Sequence, residues 1–212
     1  MKRKYKMFIL LLFLSMCLQN TANAQNVIDL NYWESTSDRV SSWENPPTAS
    51  VTKLNNHSSF ELQDYFNHAK AQWNLAGIYS QQVQTLGTNA DIVCYGGYPV
   101  ELQARTGIFI ESSVYGITAT TSDIYNSNAS FSYNGQTKYH YKLSKAIVCI
   151  VDRNISENQF KNIFTHEYGH ALGWDGHSQT QYNGAVINVM YAHPTGTTSL
   201  SPADKRHLKQ FY

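Results

Sequence analysis

A chain of 212 residues is long enough for one compact domain with its own hydrophobic core. Its 16 Lys and Arg against 15 Asp and Glu leave a net charge of +1, which argues against a nucleic-acid-binding role, since neutralising phosphates needs a basic excess. With 42% hydrophobic, 13% aromatic and 15% charged residues the chain should fold, and three cysteines are too few for a disulfide scaffold.

Residues 1–24 carry Lys2, Arg3, Lys4 and Lys6 and no acid, then an apolar run from Met7 to Leu18, then Ala22-Asn23-Ala24. A basic start, an apolar middle too short to span a bilayer comfortably and a small-x-small end predict a cleavable signal peptide, and hence a secreted or periplasmic product with no membrane span. Cleavage would turn the net charge from +1 to −3 and leave two cysteines, Cys94 and Cys149. Whether these two form a disulfide or stay as buried thiols is open.

Residues 25–48 are polar, contain Pro46-Pro47 and lack periodicity, so they read as a leader or short pro-segment. Residues 49–212 are expected to form the folded domain. Ala49 to Leu54 alternates like a first strand. Ser59 opens a helix with Leu62, Tyr65, Phe66, Ala69 and Trp73 at three- and four-residue steps, ended by Gly77. Ala90 to Tyr95, Gly107 to Ile110 and Tyr115 to Thr121 are strand candidates, and 122–137, rich in Ser, Asn and Tyr, reads as a surface loop. Ala146 to Val151 is a continuous apolar run and reads as a well-buried strand. A second helix starts behind Ser156, with Gln159 placed for a capping box. A last helix starts at Ser201-Pro202 and turns Leu208 and Phe211 inward. The order predicts an α+β fold in one domain.

The chemistry lies in residues 166–178, HEYGHALGWDGHS. His166 and His170 are four apart on the second helix, so at about 100° per residue both imidazoles leave the same side. They form half of a zinc site, with Glu167 beside them able to reach a metal-activated water without being a ligand. Gly173 can stop the helix, His177 lies beyond the turn, and Asn188-Val189-Met190-Tyr191 follows downstream.

This set of motifs resembles the metzincin zinc peptidases, most closely the matrixin branch, whose pattern is HExxHxxGxxH followed by a Met-turn. HEYGHALG is similar to the matrixin helix. LSPADKRHLKQFY, from Leu200 to Tyr212, is similar to its C-terminal helix, and Ala69 and Trp73 followed by Ala90-Asp91-Ile92 fit its first helix and second strand. The resemblance spans most of 50–212. One departure matters: the family's third histidine falls at Gly176, and His177 is one residue late. Asp175 is the competing third ligand, since carboxylate oxygen also binds zinc.

The resemblance implies a metzincin-like zincin catalytic domain, a mixed twisted sheet with an active-site helix and a C-terminal helix. It implies a hydrolase, a secreted zinc metalloendopeptidase, with one catalytic Zn2+ on His166, His170 and His177 and Glu167 as general base. Met190 would lie beneath the histidines, and Tyr191, Ala192, His193 and Pro194 would line a specificity pocket. Protein or peptide substrates would pair along an exposed sheet edge, with the protease acting as a monomer. Family members also carry structural calcium and zinc, for which no ligand string stands out here. Residues 25–48 hold no cysteine to block the metal, and Asp29 or Asp38 is left as a carboxylate plug. His57, His68, His140 and His207 lack ligand spacing and read as surface or capping residues. The alternatives are a catalytically inactive metzincin-like zinc-binding module and another zinc hydrolase.

Overall fold

The computed structural model describes residues 33–54, 61–83, 89–124, 130–133, 135–178 and 188–212. The expected signal peptide, the first part of the leader with Asp29, and His57 lie outside them. Among the described residues, seven strands and four helices follow in order: β1 (Val40–Ser42), β2 (Thr48–Lys53), α1 (Leu62–Leu75), β3 (Gln81–Gln82), β4 (Ile92–Gly97), α2 (Pro99–Thr106), β5 (Gly116–Ile124), β6 (Ser130–Tyr133), β7 (Gln136–Val151), α3 (Glu157–Ala171) and α4 (Pro202–Lys209).

The sheet is mixed. β3, β2, β4 and β7 run parallel side by side, with Ala49 opposite Ile92 and Ile92 opposite Ala146. β5 runs antiparallel along the other edge of β7, with Gly116 opposite Ile150 and a register shift between Thr121 and Ser122. β1 adds a short parallel pairing to β7, Val40 opposite His140, and β6 pairs antiparallel with its first residues.

Two helices cover one face because their apolar stripes meet. Tyr65 of α1 stacks on Phe160 of α3 at 5.3 Å, and Phe66 meets Phe164 and Tyr168 edge-on at 5.9 and 5.6 Å. The Trp73 indole is buried, and its N–H donates to the Thr165 carbonyl at 2.9 Å. Strand side chains alternate between faces. Ile92, Cys94, Val148 and Ile150 therefore join this helical core, while Val93, Tyr95, Cys149 and Val151 pack with Leu102 of α2 on the opposite face. Cover on both faces explains the unbroken apolar run at 146–151. The same alternation separates the cysteines. Cys94 is in register with Val148 and Cys149 with Tyr95, so the thiols point to opposite faces, and both are free and buried.

The helix caps follow the sequence. The Gln159 N–H donates to Ser156 Oγ at 3.3 Å and the Ser156 N–H to Gln159 Oε1 at 2.9 Å. Ser201 and Asp204 exchange the equivalent pair, each at 3.0 Å.

The structure departs from expectation in several elements, β3 among them. Gly107 to Ile110 is not a strand but the exit from α2, a helix that the periodicity does not show because Leu102 alone is buried in it. Pro99 at its first turn and Gly107 at φ 75° after its end were the available signals. Residues expected as a loop at 122–137 supply the end of β5, β6 and the start of β7. That ribbon is largely solvent-exposed and so carries no apolar alternation. The described part of the expected leader also carries β1, with Val40 fully buried, a strand too short to show a period. No helix among the described residues is long and apolar enough to cross a membrane.

Candidate metal centre

α3 is buried on nearly every side through its last three turns, from Phe160 to Ala171, which makes it a rigid carrier for His166, Glu167 and His170. Gly169 allows a close approach on this helix. A Cβ there would lie 2.5 Å from Trp73 Cζ2 and 2.6 Å from Met190 Sδ, so only glycine lets α1 and the Met190 segment close on the helix.

His166, His170 and His177 bring one ligand nitrogen each to within 4.8 Å of one another. His166 Nδ1 lies 2.8 Å from the Val189 carbonyl and His170 Nδ1 lies 2.7 Å from the Trp174 carbonyl. A carbonyl only accepts, so each Nδ1 carries the proton and each Nε2 presents a lone pair. Those two Nε2 atoms face each other at 3.0 Å. Burial, then the neighbouring imidazoles, holds His166 well below its ordinary pKa, and burial lowers His170 to about 4, which favours the neutral rings. Two acceptors held this close fit a cation, and the spacing is near the ~3.3 Å edge of a tetrahedron with ~2.0 Å bonds.

His177 completes the group, its ring centroid 5.2 Å from each of the other two. The chain bends before His177 at Gly176, which has φ 75° and where a Cβ would come within 2.6 Å of the Ser37 nitrogen. Glycine alone takes that left-handed conformation without strain. Asp175 does not join the cluster. Its Oδ2 accepts from Ser41 Oγ at 2.6 Å and lies 3.7 Å from Arg39 Nε, with burial raising its pKa to about 6. Asp38 is ion-paired with Lys138.

Glu167 is buried, which raises its pKa to about 7 against the opposing hydrogen bond from Thr118. Thr118 Oγ1 lies 2.7 Å from Glu167 Oε2 and 2.9 Å from the Glu167 carbonyl. β5 thus sets the carboxylate's direction, a link between distant residues with no local signature. Met190 is fully buried, its sulfur directly over the Gly169 position. Asp204 holds this segment, with a carboxylate that accepts from the N–H groups of Ser201 and Val189 at 3.0 Å and Met190 at 3.5 Å.

Beside the cluster lies a cavity of about 230 Å3, lined by His166, Glu167, Val114, Tyr191, His193 and Pro194 among others. Its outer wall is tied to α3 through Asn162. The Asn162 Nδ2 group donates to the Thr197 carbonyl at 2.7 Å and Oδ1 accepts from the Thr195 N–H at 3.2 Å. His207, expected as a surface or capping residue, is buried. Its Nδ1 accepts from the Glu34 N–H at 3.1 Å, and its ring packs on Trp174 at 4.1 Å. His68 caps the Thr198 carbonyl at 2.6 Å.

No family description matches the chain, and no curated protein matches it. Among solved structures it is similar to one described as "Structure of Myroilysin", at 16% identity and a TM-score of 0.42 over 81% of this chain and 82% of that one. It is also similar to "Crystal structure of myroilysin", at 16% identity and a TM-score of 0.40 over 91% and 96%.

Proposed function

We propose that the chain is a zinc-dependent endopeptidase of matrixin-like type, exported behind a cleaved signal peptide. The observation that carries the reading is the pair of Nε2 acceptors 3.0 Å apart, with a buried carboxylate one residue away on the edge of a cavity. His166, His170 and His177 would hold the metal, all through nitrogen, a donor set suited to zinc. When bound, zinc supplies Lewis-acid polarisation of the peptide carbonyl and a lowered pKa for water.

The chain's own residues do the rest. The two backbone carbonyls on Nδ1 fix the tautomer and direction of His166 and His170. Burial raises the Glu167 pKa, which favours proton uptake by its carboxylate, the role of a general base. It takes the proton of the attacking water and passes it to the departing amine nitrogen. Thr118 keeps the carboxylate from rotating away. A substrate strand would lie along β5, whose outer edge pairs with no other strand among the described residues, and one of its side chains would enter the cavity.

Glu167→Ala tests the reading. It should retain stoichiometric zinc and lose cleavage of a peptide library by about 100-fold or more. A Glu167→Ala protein that cleaves at the wild-type rate would sink the mechanism, and a wild type that takes up no zinc would sink the metal site. N-terminal sequencing of the exported protein tests the signal peptide, with Gln25 as the expected first residue.

A further inference from the structure

The turn that carries His177 has no helix or sheet of its own to hold it. It leans on residues 35–41. The Ser35 hydroxyl donates to the Asp175 carbonyl, and Ser35 forms an antiparallel bridge with Ser178. The Thr36 N–H donates to the His177 carbonyl at 2.8 Å, and the His177 N–H donates back to Thr36 Oγ1 at 2.9 Å. Ser37 closes over Gly176, filling the space a Cβ would need. Further along, the Ser41 hydroxyl holds Asp175 Oδ2 at 2.6 Å with Arg39 alongside. Arg39 is itself fixed, stacked over Tyr141 at 4.1 Å and bonded to Ser122. Every residue from Asp175 to Ser178 therefore touches this segment, and the segment is anchored to the sheet through β1.

We propose that residues 35–41 are a clasp that holds His177 in ligating position. Thr36 is the positioning residue for the third histidine, and processing that leaves a metal-loaded form must cut upstream of Ser35. The proposal rests on the zinc reading of the histidine cluster. It narrows the expected leader, because its last part becomes a component of the metal centre. Loss of the clasp would leave His166 and His170 in place on α3 and free only the third ligand.

Zinc titration of the full chain tests this, alongside thermal melting of the metal-free protein. Thr36→Val keeps the side-chain volume and removes the acceptor for the His177 N–H. It should bind zinc about tenfold more weakly or worse, the range for outer partners of metal ligands. Its metal-free melting should match wild type, and Thr36→Ser should restore the affinity. Ser41→Ala, which frees Asp175 instead, carries the same comparison if Thr36→Val does not fold. Wild-type affinity in both folded variants overturns the clasp, whereas a wild type that binds no zinc overturns the parent reading. Limited proteolysis of the zinc-loaded chain gives an independent check. Species that keep 35–41, or that lose it together with zinc, support the clasp. A species that has lost 35–41 and binds zinc as tightly as the intact chain overturns it.

Discussion

His166 and His170 stand on a buried helix, and His177 and Met190 stand on loops. Backbone periodicity puts the first pair on one helix face with α1 and the sheet packed around it, and a backbone carbonyl, of Val189 or Trp174, then fixes each ring. The second pair is oriented by partners far away in the chain. Thr36 reaches His177 across 141 positions, and Asp204 reaches Val189 across 15. A regular element carries its ligands wherever it packs, whereas a turn carries a ligand only as well as its neighbours hold it. The helical half should therefore tolerate loss of a contact, and the looped half should show that loss first as weakened metal binding.

Ligand removal gives the largest effect. His170→Ala and His177→Ala should each weaken zinc binding by more than the roughly 10–100-fold attributed to outer partners. His177→Ala should do so without lowering the metal-free melting temperature, since its ring is only partly buried. Calorimetric titration checks both, and unchanged affinity in His177→Ala would remove the turn from the site. Next comes Met190→Ala, which opens a cavity beneath α3 and should cost roughly 2–5 kcal/mol in urea unfolding. A cost below about 1 kcal/mol would mean that the helix supports itself and the looped half adds nothing to it.

Ser156→Ala probes the helical half alone. Loss of this cap should cost roughly 1 kcal/mol and leave zinc affinity unchanged. A fall in zinc affinity would show that the far end of α3 couples to its ligands. The smallest effect is on acid stability. Burial lowers the His140 pKa, so the folded chain binds that proton less readily than the unfolded one. The histidine's contribution is full above its ordinary value of 6.5 and is lost as pH falls below it. His140 Nε2 lies 2.7 Å from Ser42 Oγ, so acid should loosen β1 and with it the clasp. Melting at about pH 7.5 and about pH 5.5 checks this, with His140→Gln expected to show a smaller drop than wild type.

Legibility followed the same division. The spacing of Leu62, Phe66, Ala69 and Trp73 made α1 readable, and Ser156 with Gln159 marked the start of α3, because these signals lie within one or two helical turns. The exposed ribbon from β5 to β7 was not readable, because neither of its faces is consistently buried. α2 was missed with one buried residue in eight, too few to set a period. His207 could not be placed inside from its neighbours, because its burial comes from Trp33, Trp174 and Phe211 converging on it.

The amino-acid order alone determined that His166 and His170 share a helix face with Glu167 beside them, since the helical repeat is a property of the local backbone. It also supplied a glycine where the turn needs a left-handed residue. Tertiary structure brings His177 rather than Asp175 into the cluster with His166 and His170. That choice depends on which side chains meet Asp175, and Ser41 and Arg39 come from a segment about 135 residues away that no local pattern connects to the turn.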